Sequence, residues 1–401
     1  MKWVKIEKDY KVPIKSWCET IEDGALGQAI NLAKHPVVYH HVSLMPDCHL
    51  GYGMPIGGVI ACENAIIPNA VGVDIGCGMG VIQTNMIRQT INQGQLQKLV
   101  VKIKKMIPCG EGKAHQQKQT WDGFSENLTD YQDRKWMTEH VKKLANRNLG
   151  TLGGGNHFIE IQSDENGLIW LMIHTGSRHL GNVIAKYYND IAKQINVKMN
   201  ASIPNNDLAF LPLPSTEGDN YIQDMNLALK YAKENRRRIM NQFVSAFRSI
   251  FPNTSIEPAI NIHHNYAALE SHFSKKVWIH RKGATSAKKG EIGIIPGSMG
   301  TPSYIVRGLG NEESFNSCSH GAGRLLGRRN ASRTLTVKEC DRAMKGIIFD
   351  DWHKLKRGKE KGKHDLGEAP QAYKNIDSVI NSELDLIEPL IKLTPLAVIN
   401  G

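Results

Sequence analysis

The sequence predicts an α+β fold built as one integrated domain over residues 1–401. Three observations carry that reading. Short runs rich in Val, Ile and Tyr, broken by glycine, alternate with segments whose apolar residues recur at helical spacing. No internal repeat and no low-complexity linker divides the chain. Blocks that set glycine beside Asp, Cys, His or Ser lie on both sides of the longest helical segment, so they must converge in space to make a site.

The elements follow in order. Residues 1–35 read as a strand and then a helix around 25–34. From Val37 to Gly80 the pattern is short β-type runs, VVYHHVSLM, GGVIACENAII and the start of GVDIGCGMGVIQT, broken by glycine. A helix spans 92–106, a polar loop 110–133, and a helix 135–146. Residues 151–175 return to strand character in HFIEIQ and LIWLMIHT, followed by a helix that starts near Gly181 and covers 183–199. After a loop at 200–218 comes the longest helix, 221–249, which contains no Gly or Pro to break it. Residues 276–308 alternate strands and turns (KVWIHRKGA, GEIGIIPGSMG, PSYIVRGLG), and the remainder reads as helical apart from a basic stretch at 354–364.

Composition narrows the class. At 41% hydrophobic and 22% charged residues the chain is an ordinary globular protein. It has no apolar run long enough to span a bilayer and no signal-peptide core at its start, so a cytoplasmic location is expected. The seven cysteines are odd in number and form no CxxC pair, which points to free thiols rather than a disulfide framework or a zinc knuckle. A net charge of +11 suits a polyanionic partner.

The chemistry lies in the glycine-rich blocks. Asp74 and Cys77 sit three apart in GVDIGCGMG, where a bent backbone can turn both into one cavity. A thiolate has lone pairs enough to bridge two metal ions; Asp adds a hard oxygen and His an imidazole nitrogen. His157 in GGNHF, His174 in MIHTGS, and His263 or His264 in NIHHNY complete two coordination shells. Residue type alone admits zinc, manganese or iron, and a phosphate-bearing substrate tilts the choice toward manganese or magnesium. His35, His40, His41, His272 and His280 read as structural. In SCSHGAGR, the backbone N–H groups of Gly321, Ala322 and Gly323 form a candidate anion nest beside His320, whose neutral imidazole can attack phosphorus. Ser298 and Ser303 in PGSMGTPS offer hydroxyl donors.

Taken in order, MPDCHLGYGMPIGG, GVDIGCGM, LGGGNHFIE, HTGSR, HHNY, RKGA, IIPGSMG, VRGLGNEESF and SCSHGAGR resemble the blocks of the RtcB family of RNA ligases, from about Trp17 to the C-terminus. The resemblance implies mixed β-sheets around a central cleft with helices packed outside. It implies joining of RNA 3′-phosphate or 2′,3′-cyclic phosphate ends to 5′-hydroxyl ends, in RNA repair or tRNA splicing, with GTP and two manganese ions. By that resemblance Cys77 is the shared thiolate. His174 and His264 bind one ion, Asp74 and His157 the other. His320 is guanylylated, and Asn156, Glu160, Ser298, Ser303, Gly321, Ala322, Gly323 and Tyr373 hold GTP, while Asp47 is an acidic residue near the reaction centre. The resemblance also implies an RNA partner, an archease-type activator and a monomer. Arg236–Arg238, Arg328–Arg329 and Lys354–Lys363 are candidates for phosphate-backbone contacts, the first of them more readily read as a solvated helix face.

One departure stands out. The family commonly ends in Val-Lys-Gly, and this chain ends in Val398-Ile399-Asn400-Gly401, with Lys374 or Arg324 as candidate substitutes for the missing cation. Two other functions compete: a metal-dependent cyclic phosphodiesterase that never ligates, and an RNA-binding homologue with impaired catalysis. The complete His320 block argues against the first and the full set of ligand residues against the second.

Overall fold

A computed structural model describes residues 1–124, 135–355 and 361–401. Two large sheets dominate it. Six strands form one, in the spatial order Trp3–Lys5, Ile14–Ser16, Val38–Tyr52, Met54–Cys62, Lys275–Lys282 and Asn265–His272. Ile14–Ser16 runs parallel to Val38–Tyr52 and the other neighbours are antiparallel, so the sheet is mixed. Seven strands form the other, all antiparallel, in the order Ile260–His263, Gly78–Ile87, Leu168–Thr175, Phe158–Ser163, Ile387–Asn400, Ser303–Gly308 and Ile292–Ile295. Its two end strands touch, so it curls on itself around a small core of Met79, Val81, Trp170, Met172, Ile294, Ile305 and Leu393.

Helices cover the outer faces. The long helix, Thr216–Arg248, starts where the Ser215 side chain accepts from Gly218 N, carries Glu217 and Asp219 in its first turn, and ends with Arg248 in its last. It buries Ile239, Met240, Phe243 and Phe247 against Ile82, Leu171 and Ile173 of the curled sheet. The helix Gln93–Met106, opened by a capping box between Asn92 and Gln95, adds Leu96, Leu99 and Ile103 to the same core. On the six-stranded sheet the helix Asp23–Ala33 packs Ala25, Ala29 and Leu32 onto Val38, Val42 and Ile60. The opposite face of that sheet packs Trp17, Val59 and Ile279 against Val306 and Ile387, joining the two sheets.

The helices at 92–106 and 221–249 lie where periodicity puts them, within a few residues. The chain after residue 308 differs from the expectation of a helical remainder: Ile387–Asn400 is a 14-residue strand at the middle of the curled sheet. Pro389 and Pro395 forbid a helix there, and Val398 and Ile399 favour the pleated conformation. Pro395 is accommodated by a shift of register before Ala397. The segment 72–77, read as the start of a strand, is instead a turn, and the strand begins at Gly78. The predicted loop at 110–133 falls partly, from residue 125 on, outside the described residues, as does part of the basic stretch 354–364.

The histidines read as structural are fixtures of the packing. His35 Nε2 lies 3.0 Å from Leu208 O, His41 Nε2 lies 2.7 Å from Glu313 O, and His280 Nε2 accepts from Ile67 N at 3.0 Å. Burial, the largest cause in each, holds His35 down to about 4, His41 to about 3 and His280 to about 4. Each folded value lies below the ordinary histidine value near 6.5, so protons bind the unfolded chain more readily. The stability these neutral rings contribute is complete above about pH 6.5 and is lost as pH falls through 6 toward 4, on the order of 2 kcal/mol per histidine at pH 5. Urea denaturation of the metal-free protein from pH 7.5 to 4.5 should therefore give a steadily falling midpoint. A flat profile would mean that these rings are not held neutral.

Candidate metal and nucleotide site

A cavity of about 1410 Å³ opens between the two sheets. The six-stranded sheet supplies His49, Ile56 and Lys282 to its wall, and the curled sheet supplies Phe158, Glu160, His174, Val398 and Asn400. The turns at 296–299 and 320–330 close another side. The volume exceeds the few hundred cubic ångströms that suit one small ligand.

Five ligand-type side chains meet at the inner end. Cys77 directly precedes the strand Gly78–Ile87, His174 is the next-to-last residue of Leu168–Thr175, and His264 directly follows Ile260–His263. The register sets Gly78 opposite both Thr175 and His263, which brings these three strand ends side by side. Only glycine fits at 78: a Cβ there would stand 1.9 Å from Ile262 O. Cys77 Sγ lies 3.2 Å from His174 Nε2, and His174 Nε2 lies 3.3 Å from His264 Nε2. On the other side Cys77 Sγ lies 3.6 Å from His157 Nε2, which is 3.3 Å from Asp74 Oδ2. Two triads result, Cys77–His174–His264 and Asp74–Cys77–His157, each with its donor atoms within 4.8 Å of one another and sharing the cysteine. Of the two histidines left open by the sequence, His264 faces this centre, while His263 Nδ1 accepts from Arg236.

The hydrogen-bond partners of the ring nitrogens suit these groups to a cation. His157 Nδ1 donates to Leu152 O at 3.0 Å and His174 Nδ1 to Asn156 O at 2.9 Å. Each ring therefore carries its proton on the outer nitrogen and aims a lone pair inward from Nε2. Burial holds His174 down to about 3 and His264 well below the ordinary range, so neither ring is cationic near neutrality. Burial and the Asp74 carboxylate push the Cys77 thiol up. Inward lone pairs from nitrogen, sulfur and oxygen repel one another unless a positive ion lies among them. The mixed thiolate, imidazole and carboxylate set fits a transition metal better than magnesium or calcium.

His320 stands at the edge of this centre, its ring centroid 4.9 Å from that of His264. It follows the short strand Ser317–Ser319, which pairs with Ala284–Ser286. Asp47, wholly buried in the strand Val38–Tyr52, accepts from His320 N at 3.0 Å and from His320 Nδ1 at 2.6 Å through one oxygen. Burial by itself would raise the Asp47 carboxyl; the charge and hydrogen bond of His320 outweigh it and hold the group below the usual carboxylate range. An ionised Asp47 fixes the His320 proton on Nδ1 and leaves the Nε2 lone pair free to act as a nucleophile. The turn after His320 is pressed onto the same strand: Gly323 has φ +72°, and a Cβ there would stand 2.2 Å from Asp47 O.

Residues 28–401 match the family described as tRNA-splicing ligase RtcB. The chain belongs to the RtcB family. It is 39% identical to the RNA-splicing ligase RtcB of Escherichia coli (strain K12), over 97% of each chain. It is 31% identical to the tRNA-splicing ligase RtcB of Thermococcus kodakarensis, over 99% of this chain and 96% of the relative. The tRNA-splicing ligase RtcB of Pyrobaculum aerophilum is 30% identical, over 98% of this chain and 95% of that one.

The other residues that the RtcB resemblance singled out divide by position. Asn156, Glu160, Ser298, Gly321, Ala322, Gly323 and Tyr373 line the cavity. Burial raises the Glu160 carboxyl well above the ordinary range. Ser303 is turned away from the wall: its hydroxyl oxygen accepts from Gln162 Nε2 at 3.0 Å and from Gly297 N at 3.2 Å, so it braces the Glu160 strand. Arg328 and Arg329 line the cavity, with Arg328 paired to Glu368. Arg236 corrects both readings offered for it. It is neither a phosphate contact nor a solvated residue but is completely buried behind Cys77, and nothing in the RRR run of its helix signals this. Arg237 and Arg238 pair with Glu234. Lys374 and Arg324 are both engaged elsewhere. Lys374 Nζ donates to Pro46 O at 3.0 Å and Cys48 O at 2.6 Å, and Arg324 is held by Gly367 O, Glu368 and the Tyr373 hydroxyl. Among the described residues no helix is long and apolar enough to cross a membrane.

Both triads use the Cys77 sulfur, and Cys48 belongs to neither. Cys77→Ala should therefore remove most transition-metal uptake, and Cys48→Ala should leave it intact. Elemental analysis after equilibration with manganese checks both, and undiminished uptake in Cys77→Ala would refute the shared-sulfur arrangement.

Proposed function

We propose that this chain is a GTP-dependent RNA ligase that joins a 3′-phosphate or 2′,3′-cyclic phosphate end to a 5′-hydroxyl through a GMP–histidine intermediate on His320. The observation that carries this reading is one cavity in which an Asp47-oriented His320 borders two triads of transition-metal ligands. Membership of the RtcB family and the names of its relatives support it.

The residues divide the work as follows. His320 Nε2 attacks the α-phosphorus of GTP; an N–P bond forms, the α–β anhydride bond breaks and pyrophosphate leaves. The imidazolium formed is stabilised by the ionised Asp47 on Nδ1. Two manganese ions, one on Cys77, His174 and His264 and one on Cys77, Asp74 and His157, would supply Lewis-acid stabilisation of phosphate charge. A 2′,3′-cyclic phosphate end is first hydrolysed by water, the P–O2′ bond breaking to leave a 3′-phosphate and a 2′-hydroxyl. An oxygen of the RNA 3′-phosphate then takes the GMP as the Nε2–P bond breaks. The 5′-hydroxyl attacks the activated 3′-phosphate, a phosphodiester forms and GMP departs. Glu160, Ser298 and the 321–323 turn line the same cavity as His320 and would hold the nucleotide there. Arg328 and Arg329, which line the same cavity, would offer cations to the RNA backbone.

Incubation with α-labelled GTP and manganese tests the reading. Label should become covalently attached, acid-labile and alkali-stable, and peptide mass spectrometry should find it on His320. Opening of cyclic phosphates with no label would instead indicate a phosphodiesterase. Asp47→Asn should slow adduct formation by roughly 10²–10⁴-fold, because an amide stabilises neither the tautomer nor the imidazolium. Manganese uptake should remain unchanged in that variant.

Asn400 gives the next expectation. Its amide faces Met299 Sδ at 3.6 Å on the cavity wall, and neither Lys374 nor Arg324 is free to supply the charge that the family's terminal lysine carries. Asn400→Lys should therefore speed His320 guanylylation, about tenfold for each 1.4 kcal/mol gained in the transition state. Metal uptake should not change. Equal single-turnover rates in the two proteins would mean that the amide is neutral to catalysis.

A further inference from the structure

The long helix Thr216–Arg248 passes behind the curled sheet and turns Arg236 fully inward beneath the ligand triads. Its guanidinium is bonded on every nitrogen. Nε donates to Asn261 Oδ1 at 2.7 Å, Nη1 to Gly76 O at 2.8 Å and to Thr175 O at 2.9 Å, and Nη2 to His263 Nδ1 at 2.8 Å. Three of these partners stand one residue from a ligand: Gly76 precedes Cys77, Thr175 follows His174, and His263 precedes His264. Asn261 lies on the strand that leads to His264. One planar group thus ties together the three chain segments that deliver one triad.

The choice of residue is informative. A joint between helix and sheet can be made from apolar side chains with no desolvation cost, whereas a buried cation is expensive. Arginine repays that cost where several acceptors must be held in a fixed fork, because its donors are coplanar and rigid. The acidic groups whose charge acts on the guanidinium are Cys77 and Asp74, members of the triads themselves. Asn235, the preceding residue on the helix, works on the other segment. Its Oδ1 accepts from Gly150 N at 2.7 Å and Thr151 N at 3.2 Å, and its Nδ2 donates to Gly176 O at 3.2 Å, bracing the turn that leads to Asn156 and His157.

We propose that Arg236 is the positioning residue of the Cys77–His174–His264 metal triad, holding the three ligand-bearing strand ends at the spacing a transition-metal ion requires. The inference rests on the reading of those residues as metal ligands, and the test separates the two. Cobalt(II) is titrated into the metal-free full-length chain, because cobalt bound to a thiolate gives a near-ultraviolet charge-transfer band and visible bands whose intensity reports coordination geometry. The unaltered chain should show the thiolate band. Arg236→Lys keeps the charge and loses the fork; it should weaken cobalt affinity by roughly 10–100-fold, as loss of an outer partner of metal ligands does, and alter the visible bands. Asn261→Ala, at a half-buried position, should shift both in the same direction by less. Arg237→Ala, its surface neighbour, should match the unaltered chain. A folded Arg236→Lys protein with native affinity and spectrum overturns the inference, even if its melting temperature drops, since that is the pattern of a merely structural residue. Should Arg236→Lys fail to fold, an unchanged spectrum in Asn261→Ala overturns it instead. If the unaltered chain binds cobalt without a thiolate band, the metal-site reading falls first and takes the inference with it.

Discussion

The Cys77 sulfur is the point to which the rest of the structure is built. Four other donor side chains, from segments as far apart in sequence as Asp74 and His264, must reach one buried atom. That demand explains features that a core alone would not require. The curled sheet closes until its end strands touch, glycine at 78 lets backbone approach backbone, and the outer nitrogens of His157 and His174 are tied to carbonyls so that their inner nitrogens keep lone pairs. Each device costs something in entropy or packing. Together they fix donor atoms within a few ångströms of one another, which is what preorganisation would mean at this candidate metal centre.

The second sheet brings His320 to the edge of that centre. Its anchor is a chain of buried polar contacts. Arg281 pairs with Glu270 and donates to Ser317 Oγ and Phe315 O, and Glu383 accepts from Ser319 N. Asp47 then takes both the backbone and ring N–H groups of His320. The first and last residues of the strand Ser317–Ser319, and His320 after it, are therefore held by the buried side chains of Arg281, Glu383 and Asp47. A ring so placed has little freedom except to present Nε2 to the cavity, and if it is the nucleophile proposed above, that fixation would contribute to rate by removing orientational entropy from the attack.

How much of this was legible in the sequence depended on how local the signal was. The helices at 92–106 and 221–249 carry a 3.6-residue pattern over several turns, and their packing follows it. The strand Ile387–Asn400 carries two prolines and mixed polarity, and its place at the middle of the sheet comes from pairing with Phe158–Ser163 and Ser303–Gly308, which no window of sequence contains. The glycine-flanked Asp, Cys and His residues advertised themselves by type and neighbour. The choice between His263 and His264 did not, because it depends on which side of one strand end faces the sulfur. Arg236 and Asn235 were invisible for a similar reason. Each is an ordinary helix residue until the helix is laid across the ligand-bearing turns, and only then do the partners of its donors become apparent.

The arrangement of charge follows one rule on both halves of the cavity. Cys77 is backed by Arg236, which bonds the carbonyl of the preceding residue, Gly76. Asp47 is backed by Lys374, which bonds the carbonyls of the residues on either side of it, Pro46 and Cys48. In each case the cation sits behind the acidic group and grips its backbone, so its field reaches the group while the side-chain lone pairs stay open toward the centre or toward His320. A cation in front would have formed a salt bridge and consumed those lone pairs. The same logic gives Asn400 its interest. On the cavity wall this chain presents the Asn400 amide, and the two cations considered as substitutes for a terminal lysine, Lys374 and Arg324, are already engaged in holding the site together. On the proposed reading, negative charge developing on a bound phosphate would be met by metal ions at the triads and by Arg328 and Arg329, of which Arg328 is paired with Glu368 and lies beside the 153–155 turn on which the C-terminal Gly401 packs.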